Sequence, residues 1–203
     1  MRKGGRFSAA FVVVFGFTIW LASVDWIMAL DGAWVSTIFG VYHFAGLLAA
    51  GVALMTMMAI NNESDPATLH DLGKLLFAFS TFWMYIWFSQ YMLIWYGNMP
   101  EESGYFAERL RGNWGVLFLV NVLLNWVVPF IVLLPQSAKR NRVILFRVAA
   151  IVLVGHWLDL YLSIFPSGLR APAIGPSEIV AASVAILLIR ATALRSEAPP
   201  DRG

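Results

Sequence analysis

The sequence predicts an all-α membrane protein with about six transmembrane helices. Of its 203 residues, 60% are hydrophobic and only 13% are charged, and the mean hydropathy is +0.72. Soluble domains carry about 25% charged residues, so this composition is typical of a chain that crosses a membrane several times. Six apolar runs are each long enough to span the hydrocarbon core as a helix, and most charged residues fall between them.

The predicted spans cover about residues 7–30, 36–60, 72–97, 113–134, 143–165 and 172–190. We expect the first four to form a four-helix unit within residues 1–134. Residues 135–192 would then supply two further transmembrane helices, and residues 193–203 a disordered cytoplasmic tail.

The basic residues predict the orientation of these spans. One side would hold eleven of the 14 Lys and Arg residues, and the other side would hold Arg109, Arg111 and Arg170. Because cytoplasmic loops carry the excess of Lys and Arg, both termini are predicted to be cytoplasmic and the Asn98–Gly112 loop external. The apolar run after Arg2, Lys3 and Arg6 is too long for a signal-peptide core, so we expect it to remain as an anchor.

The first two spans each carry one titratable residue. Asp25 lies about five residues from the outer end of the first span. In the second span, His43 shares one helix face with the small residues Gly40, Gly46 and Ala50. Small residues let a neighbouring helix approach closely, so His43 is predicted to point into the bundle rather than towards lipid.

The third span carries a polar stripe from one end to the other. At 100° per residue, its polar side chains fall within roughly a quarter of the helix circumference; they are Asp71, Lys74, Thr81, Tyr85, Ser89 and Tyr96. A spanning helix does not need such a stripe for its own stability, so we expect the other helices to cover it. The opposite side, with Trp83, Trp87 and Ile94, would then face lipid or an apolar neighbour.

Polar residues in the next two spans also recur at helical spacing. Asn121 and Asn125 are four residues apart, and Pro129 follows after another four. Because Pro129 cannot donate to the carbonyl of Asn125, a distortion of the helix is predicted there. In the fifth span, His156 and Asp159 are three residues apart and lie on one face. In the sixth span, the apolar run from Ile179 to Ile189 has nothing ionisable before Arg190.

These positions predict two groups of proton-handling residues. Asp25, His43, His156 and Asp159 would lie in one layer near the outer face, where titratable groups are costly unless they face one another or water. A carboxylate beside an imidazole raises its basicity, as a proton acceptor requires. The inner route would be lined by His70, Asp71, Lys74, Thr81, Tyr85 and Ser89.

Structural interpretations of the same residues remain open. His156 and Asp159 also fit a satisfied intramembrane pair that fixes helix packing. On the third helix, Lys74 can extend towards the membrane surface, and Ser and Thr can bond their own helix carbonyls. His43 and His156 could in principle ligate one b-type haem, although Asp159 competes as the partner of His156.

The chain has no Cys, which excludes disulfides, thiolate-bound iron–sulfur clusters and thioether-linked haem within it.

Three stretches resemble a known family of membrane subunits. They read SVDWIMALDGAWVSTIFGVYHFAG, LHDLGKLLFAFSTFWMYIWFSQYMLIWYGNMPEE and HWLDLY. They are similar to the quinone-interacting subunits of the polysulfide-reductase (NrfD-like) family, and most of all to the second such subunit of alternative complex III, a quinol:cytochrome c oxidoreductase. The resemblance runs from about Phe7 to about Pro166 and covers only the C-terminal part of such a subunit, without its preceding four-helix unit.

The resemblance implies a role in a quinol-oxidising respiratory complex of the bacterial inner membrane. In the family, the quinol pocket beside the iron–sulfur partner lies largely on the preceding unit. This chain is therefore expected to bind no cofactor alone, to meet quinol through the complex, and to be a non-catalytic or co-catalytic subunit. The implied partners are other membrane subunits, an iron–sulfur protein, a multihaem cytochrome c and lipid. Nucleic acid is not expected, because the basic residues lie at helix ends.

Two other classes of function fit the composition. A proton-coupled secondary transporter would need paired half-sequences or broken helices at the midplane, and the sequence has no internal repeat. A structural anchor for peripheral electron-transfer subunits would need only the apolar helices.

Overall fold

The computed structural model describes residues 4–32, 34–169, 171–173, 175–176, 180 and 183, and all regular structure among them is helical. The α-helices are α1 (Gly4–Ala22), α2 (Phe39–Asn61), α3 (Pro66–Gly97), α4 (Pro100–Leu110), α5 (Asn113–Val122), α6 (Val128–Leu133) and α7 (Arg142–Ile164). A π-helical turn, Ser23–Ile27, and a 3-10 turn, Met28–Leu30, continue α1. Another π-helical turn, Leu123–Val127, joins α5 to α6, and the 3-10 turn Ala138–Arg140 precedes α7.

Four helical segments in the described part of the chain are long and apolar enough to cross a membrane. They are Ala10–Leu30, Phe39–Asn61, Asn113–Leu133 and Arg142–Ile164, and they correspond to the first, second, fourth and fifth predicted spans. The third predicted span lies within α3, which has 32 residues but is less apolar than these four segments. Most of the predicted sixth span and the whole predicted tail lie outside the described residues.

Side-chain caps fix the start of two long helices. The carboxylate of Asp65 accepts from the backbone N–H groups of Ala67 and Thr68, each at 3.2 Å, and Pro66 follows as the first helical residue of α3. A hydrogen bond from the Thr68 hydroxyl, together with these two backbone bonds, lowers the pKa of Asp65. Asn141 caps α7 in the same way.

Helix α2 is the centre of the packing and contacts α1, α3 and α7. At one end of the bundle, an aromatic cluster joins the start of α2 to α3, α4 and α5, and includes Trp34, Phe39, Trp83 and Phe118. At the other end, an aliphatic cluster joins α2, α3, α6 and α7. The aromatic end therefore holds most of the large rings of these two clusters.

The predicted external loop Asn98–Gly112 contains the amphipathic helix α4. Its buried face presents Tyr105 and Phe106 to the aromatic cluster, and its other face is exposed. Helix α4 thus covers one end of the bundle rather than forming an open loop.

The distortion expected before Pro129 takes the form of the π-helical turn Leu123–Val127. Pro129 lies in the first turn of α6 and is buried. Since proline has no N–H to offer to Asn125, a wider turn here separates the two α-helical parts without an unpaired donor.

Candidate functional site

The centre of the site is the carboxylate of Asp159 on α7, which is only 2% exposed. Three side chains from three other helices donate hydrogen bonds to it. The hydroxyl of Tyr42 on α2 and the Nδ2 of Asn121 on α5 donate to Oδ1, the latter at 2.7 Å, and the indole Nε1 of Trp83 on α3 donates to Oδ2 at 3.2 Å. Three hydrogen bonds from neighbouring side chains replace those that water would donate to the carboxylate. They therefore stabilise its charged form inside the protein.

A second polar layer holds Asn121 in place. The Nδ2 of Asn125, within the π-helical turn, donates to Oδ1 of Asn121 at 2.7 Å. The carbonyl end of the Asn121 amide is thereby occupied, and its amino end is turned towards Asp159. Gly155 makes room for this arrangement, since a Cβ there would lie about 3.0 Å from the Asn125 amide.

A narrow cavity adjoins Asp159 and extends to α4. About 20 Å³ of it is available to water, which is room for one or two water molecules. Its polar lining consists of Tyr42, Gln90, Tyr105, Arg109, Asn121, Asp159 and Ser163. The cavity therefore joins the buried carboxylate to a buried guanidinium through polar side chains.

Arg109 is the charged residue at the α4 end of this cavity and is 2% exposed. Its guanidinium donates to the carbonyls of Leu162 at 2.9 Å and Ser163 at 3.0 Å, at the C-terminal end of α7. It also donates to the carbonyl of Tyr105 at 2.9 Å and to the hydroxyl of Ser167 at 3.3 Å. A cation is favourable at a helix C-terminus, where the last carbonyls have no partner in the helix.

The ring of Tyr105 separates Arg109 from the aromatic cluster. It lies 3.3 Å below the guanidinium carbon and stacks on Trp34 with 3.8 Å between ring centroids. Burial raises the pKa of the Tyr105 hydroxyl to about 12, so this phenol stays protonated at neutral pH. The positive charge of Arg109 is thus held by carbonyls and a ring face rather than by a carboxylate.

His43 and His156 are both buried, as the sequence predicts, but neither hydrogen-bonds to Asp159. The Nδ1 of His43 lies 3.2 Å from the carbonyl of Phe39, and its Nε2 has no partner among the described residues. Both ring nitrogens of His156 also lack a partner there. The predicted hydrogen-bonded pair of His156 and Asp159 is therefore wrong, because the carboxylate faces α2, α3 and α5.

The ring of His156 instead packs against the backbone of α2 at Gly46. A Cβ on Gly46 would lie 2.6 Å from Cε1 of His156. This contact leaves no gap between α2 and α7 at that level, so the residues present do not fit a haem held between His43 and His156. Within the described ranges, no group of three His, Asp or Glu side chains could hold a metal ion.

Asp25 does not join the predicted layer. It lies in the π-helical turn after α1, and its side chain is exposed. Helix α1 contacts the bundle on one side only, and Asp25 falls outside that side. The expectation that Asp25 faces His43, His156 and Asp159 is therefore wrong.

Half of the residues predicted to line an inner route are exposed on the outer surface of α3. Asp71 and Lys74 form an exposed ion pair with 2.9 Å between Oδ1 and Nζ, and Tyr85 is 65% exposed. Thr81 and Ser89 are half-buried, and the Thr81 hydroxyl donates to the carbonyl of Phe77. Of this group only His70 is buried.

The expected orientation of α3 is consequently wrong. Trp83 and Ile94, which were expected to face lipid or an apolar neighbour, are 1% and 7% exposed and pack within the aromatic cluster. The face of α3 that meets the bundle contains Gly73, Leu76, Ser80, Trp83 and Gln90. Most of these side chains are small or apolar, and Asp71, Lys74, Tyr85 and Tyr96 of the polar stripe are left exposed.

Sequence patterns did not indicate Tyr42, Trp83, Gln90 or Arg109 as site residues. Tyr42 directly precedes His43, but nothing in its spacing marked it. Arg109 was used only as one of the basic residues that predict the orientation of the spans in the membrane. Asn121 was the one donor to Asp159 that the sequence indicated, because a pair of Asn residues at i, i+4 is unusual in an apolar span.

Neither a comparison with protein-family models nor a search of curated proteins gave a match for the chain.

Proposed function

We propose that this chain is a multi-pass subunit of a quinol-oxidising respiratory complex, of the quinol:cytochrome c oxidoreductase type, in a bacterial inner membrane. Its contribution would be part of an intramembrane proton path and a docking surface for other subunits. The quinol assignment rests on the sequence resemblance to NrfD-like subunits. The observation that supports the proton path is the buried carboxylate of Asp159, which borders a polar cavity with room for water.

The proposed topology has six transmembrane helices with both termini cytoplasmic, α3 being the third of them. Helix α4 and Arg109 then lie at the outer surface, and the cavity connects Asp159 to that side. The partners in this proposal are other membrane subunits, an iron–sulfur protein and a multihaem cytochrome c.

In this path, Asp159 exchanges a proton with water in the cavity. Its donors Tyr42, Asn121 and Trp83 hold the carboxylate in one orientation and stabilise it after the proton leaves. Arg109 keeps a fixed positive charge at the α4 end, which opposes the entry of other cations. The inner route along α3 stays a prediction, and it needs a covering helix because Asp71, Lys74 and Tyr85 are exposed.

The test is quinol-dependent cytochrome c reduction by the purified complex carrying Asp159→Asn. The amide cannot ionise, so we expect turnover per assembled complex to fall by about tenfold or more across pH 6–8. Asp25→Asn makes the same chemical change at an exposed position and should keep the parental rate. Subunit content is measured on the same samples, so that loss of assembly is not read as loss of turnover.

Other results would favour the other classes. A complex with Asp159→Asn that turns over at the parental rate would make the chain an anchor. Purification without any haem or iron–sulfur subunit, together with solute-dependent proton uptake by the chain in vesicles, would make it a transporter.

A further inference from the structure

The connection between α6 and α7 forms an open notch at the end of the bundle where α7 begins. About 520 Å³ of this notch is available to water, and its lining consists of Gln136, Ser137, Arg140 and Asn141. The side chains of Gln136, Ser137 and Arg140 are exposed and make no hydrogen bond to another described residue. An amide, a hydroxyl and a guanidinium all offer donors, and no described carboxylate lines the notch, so it suits an anion.

A second guanidinium without a partner, that of Arg147, lies further along α7. Arg147 is exposed, and it is about 8 Å along the axis from Arg142, the first residue of this span. Its neighbours on the outward face of α7 are apolar, since Val143 and Phe146 are 58% and 36% exposed. An arginine among side chains that face lipid extends towards the level of the headgroups, where acceptors are available. Among the described residues, Arg147 has neither a hydrogen bond nor an ion pair to its side chain.

The described carboxylates at this end of the bundle do not neutralise the two arginines. Asp65 caps α3, and Asp71 pairs with Lys74. Glu63 forms no ion pair with a described residue. Lys139 adds a further positive charge, and its ammonium lies 5.1 Å from the ring centre of Phe77 rather than beside a carboxylate. The excess positive charge therefore favours an anion from outside the described chain.

Apolar surface adjoins the notch on both of the helices that run from it. Ile131 and Leu134 at the end of α6 are 63% and 60% exposed, and Val143 and Phe146 supply a similar surface on α7. A phospholipid combines an anionic phosphate with acyl chains, so it can match the notch and this surface together, whereas free phosphate has no apolar part. It also surrounds any inserted chain at this depth. A second copy would bring the same unpaired arginines to the same depth.

We propose that the notch binds the headgroup of one anionic phospholipid. Arg140 and Arg147 are the cations of this site, and Gln136 and Ser137 are its neutral donors. A guanidinium can donate two parallel hydrogen bonds to a phosphate, and basic pockets between membrane helices bind anionic headgroups. The acyl chains lie along the exposed apolar side chains of α6 and α7. The proposal rests on the membrane insertion in the proposed function, and it does not depend on which reaction the complex catalyses.

The first experiment measures lipid binding to the purified full chain in detergent by native mass spectrometry. Dioleoyl-phosphatidylglycerol should bind at one saturable site. Dioleoyl-phosphatidylcholine has the same acyl chains without the net charge, and we expect it to bind about tenfold more weakly or less. Glycerol 3-phosphate provides the phosphate without the chains and should show no saturable binding.

The same titration of variants tests the two arginines. Arg140→Gln and Arg147→Gln should each weaken the binding of phosphatidylglycerol about fivefold, and the double variant about 25-fold, because each removes one cation near the headgroup. Arg111→Gln is the matched control, since it removes the same charge at an exposed position on the opposite end of the bundle. Its affinity should equal that of the parental chain.

The second experiment locates the lipid in native membranes, with p-benzoyl-phenylalanine in place of Val143. We expect an adduct whose added mass is that of a phospholipid. An adduct with another protein, with a second copy or with residues 170–203 in its place would overturn the proposal. So would equal affinity for the two lipids, tight binding of glycerol 3-phosphate, an unchanged affinity in the double variant, or an equal loss in Arg111→Gln.

Discussion

At the scale of single residues, the molecule concentrates its polar contacts on Asp159. Three donors converge on one carboxylate, and Asn125 in turn donates to one of these donors, Asn121. Removing one donor costs one hydrogen bond, whereas removing the acceptor leaves several buried donors without a partner. The second loss is larger, because each buried unpaired group carries its full desolvation cost.

We predict that Tyr42 and Asp159 are energetically coupled and that His156 and Asp159 are not. Tyr42→Phe should lower the free energy of unfolding in detergent by about 1.5–3 kcal/mol, as expected for a hydrogen bond to a charged group. With Asp159→Asn, the two changes should show an interaction energy above about 0.5 kcal/mol in a double-mutant cycle. The combination of His156→Ala with Asp159→Asn should be additive within about 0.5 kcal/mol.

The measurement is unfolding followed by circular dichroism, with Tyr85→Phe as a control at an exposed hydroxyl that has no hydrogen-bond partner among the described residues. Additive effects at Tyr42 and Asp159 would contradict the hydrogen bond between them. Strong coupling at His156 would restore the pair that the sequence suggested.

At the scale of helices, Arg109 ties α4 to the end of α7. Its guanidinium donates hydrogen bonds to the backbone carbonyls of Leu162 and Ser163 on α7. It also donates to the carbonyl of Tyr105 on its own helix, α4. Because this requires several N–H groups in one plane, lysine cannot replace it. The cover that α4 forms over the aromatic cluster therefore depends on the guanidinium as well as on Tyr105 and Phe106.

We predict that Arg109→Lys loosens α4 without unfolding the bundle. Amide hydrogen exchange in Pro100–Leu110 should rise by about tenfold or more, since at least two hydrogen bonds are lost, while exchange in the middle of α2 should stay unchanged. Arg111→Lys, at an exposed position two residues away, should leave both regions as they are. Equal protection of α4 in the two variants would contradict the role given to Arg109.

Helices were easier to predict from the sequence than the contacts between them. The apolar runs predicted the long helices, and Pro129 four residues after Asn125 predicted the distortion. Both features depend on residues that are close together in the chain. The bond between Tyr42 and Asp159 joins positions 117 residues apart and depends on the relative rotation of α2 and α7. The orientation of α3 was missed because its bundle-facing side is set by the fit of Gly73 and Trp83 to their neighbours rather than by polarity.

At the scale of the whole molecule, the two ends of the bundle differ in what holds them together. Stacked and edge-on rings hold the end covered by α4, and aliphatic side chains hold the end at which α7 begins. Helix α1 adds little to either core, since most of its large side chains are exposed. The proposed topology places the aromatic end at the outer surface.

We predict that α4 is accessible from outside the cell and that the turn before α7 is not. The chain has no Cys, so Gly104→Cys and Ser137→Cys each provide a single thiol at an exposed position. A membrane-impermeant maleimide on whole cells should label the first variant, and the second only after the membrane is opened. The reverse pattern would invert the topology, although it would leave the packing within the bundle unchanged.

The π-helical turn Leu123–Val127 also determines where this chain can change in length. Such a turn takes up one residue more than an α-helical turn, so the extra residue is absorbed locally and the flanking helices keep their faces. Loss of one residue within the turn would return it to ordinary α-helix. In α7, which has no spare residue, a deletion before Asp159 would rotate the carboxylate by about 100° away from Tyr42 and Asn121. Loss of one residue is therefore tolerated in the π-helical turn as long as Asn125 keeps its place, but not in the helix that carries Asp159.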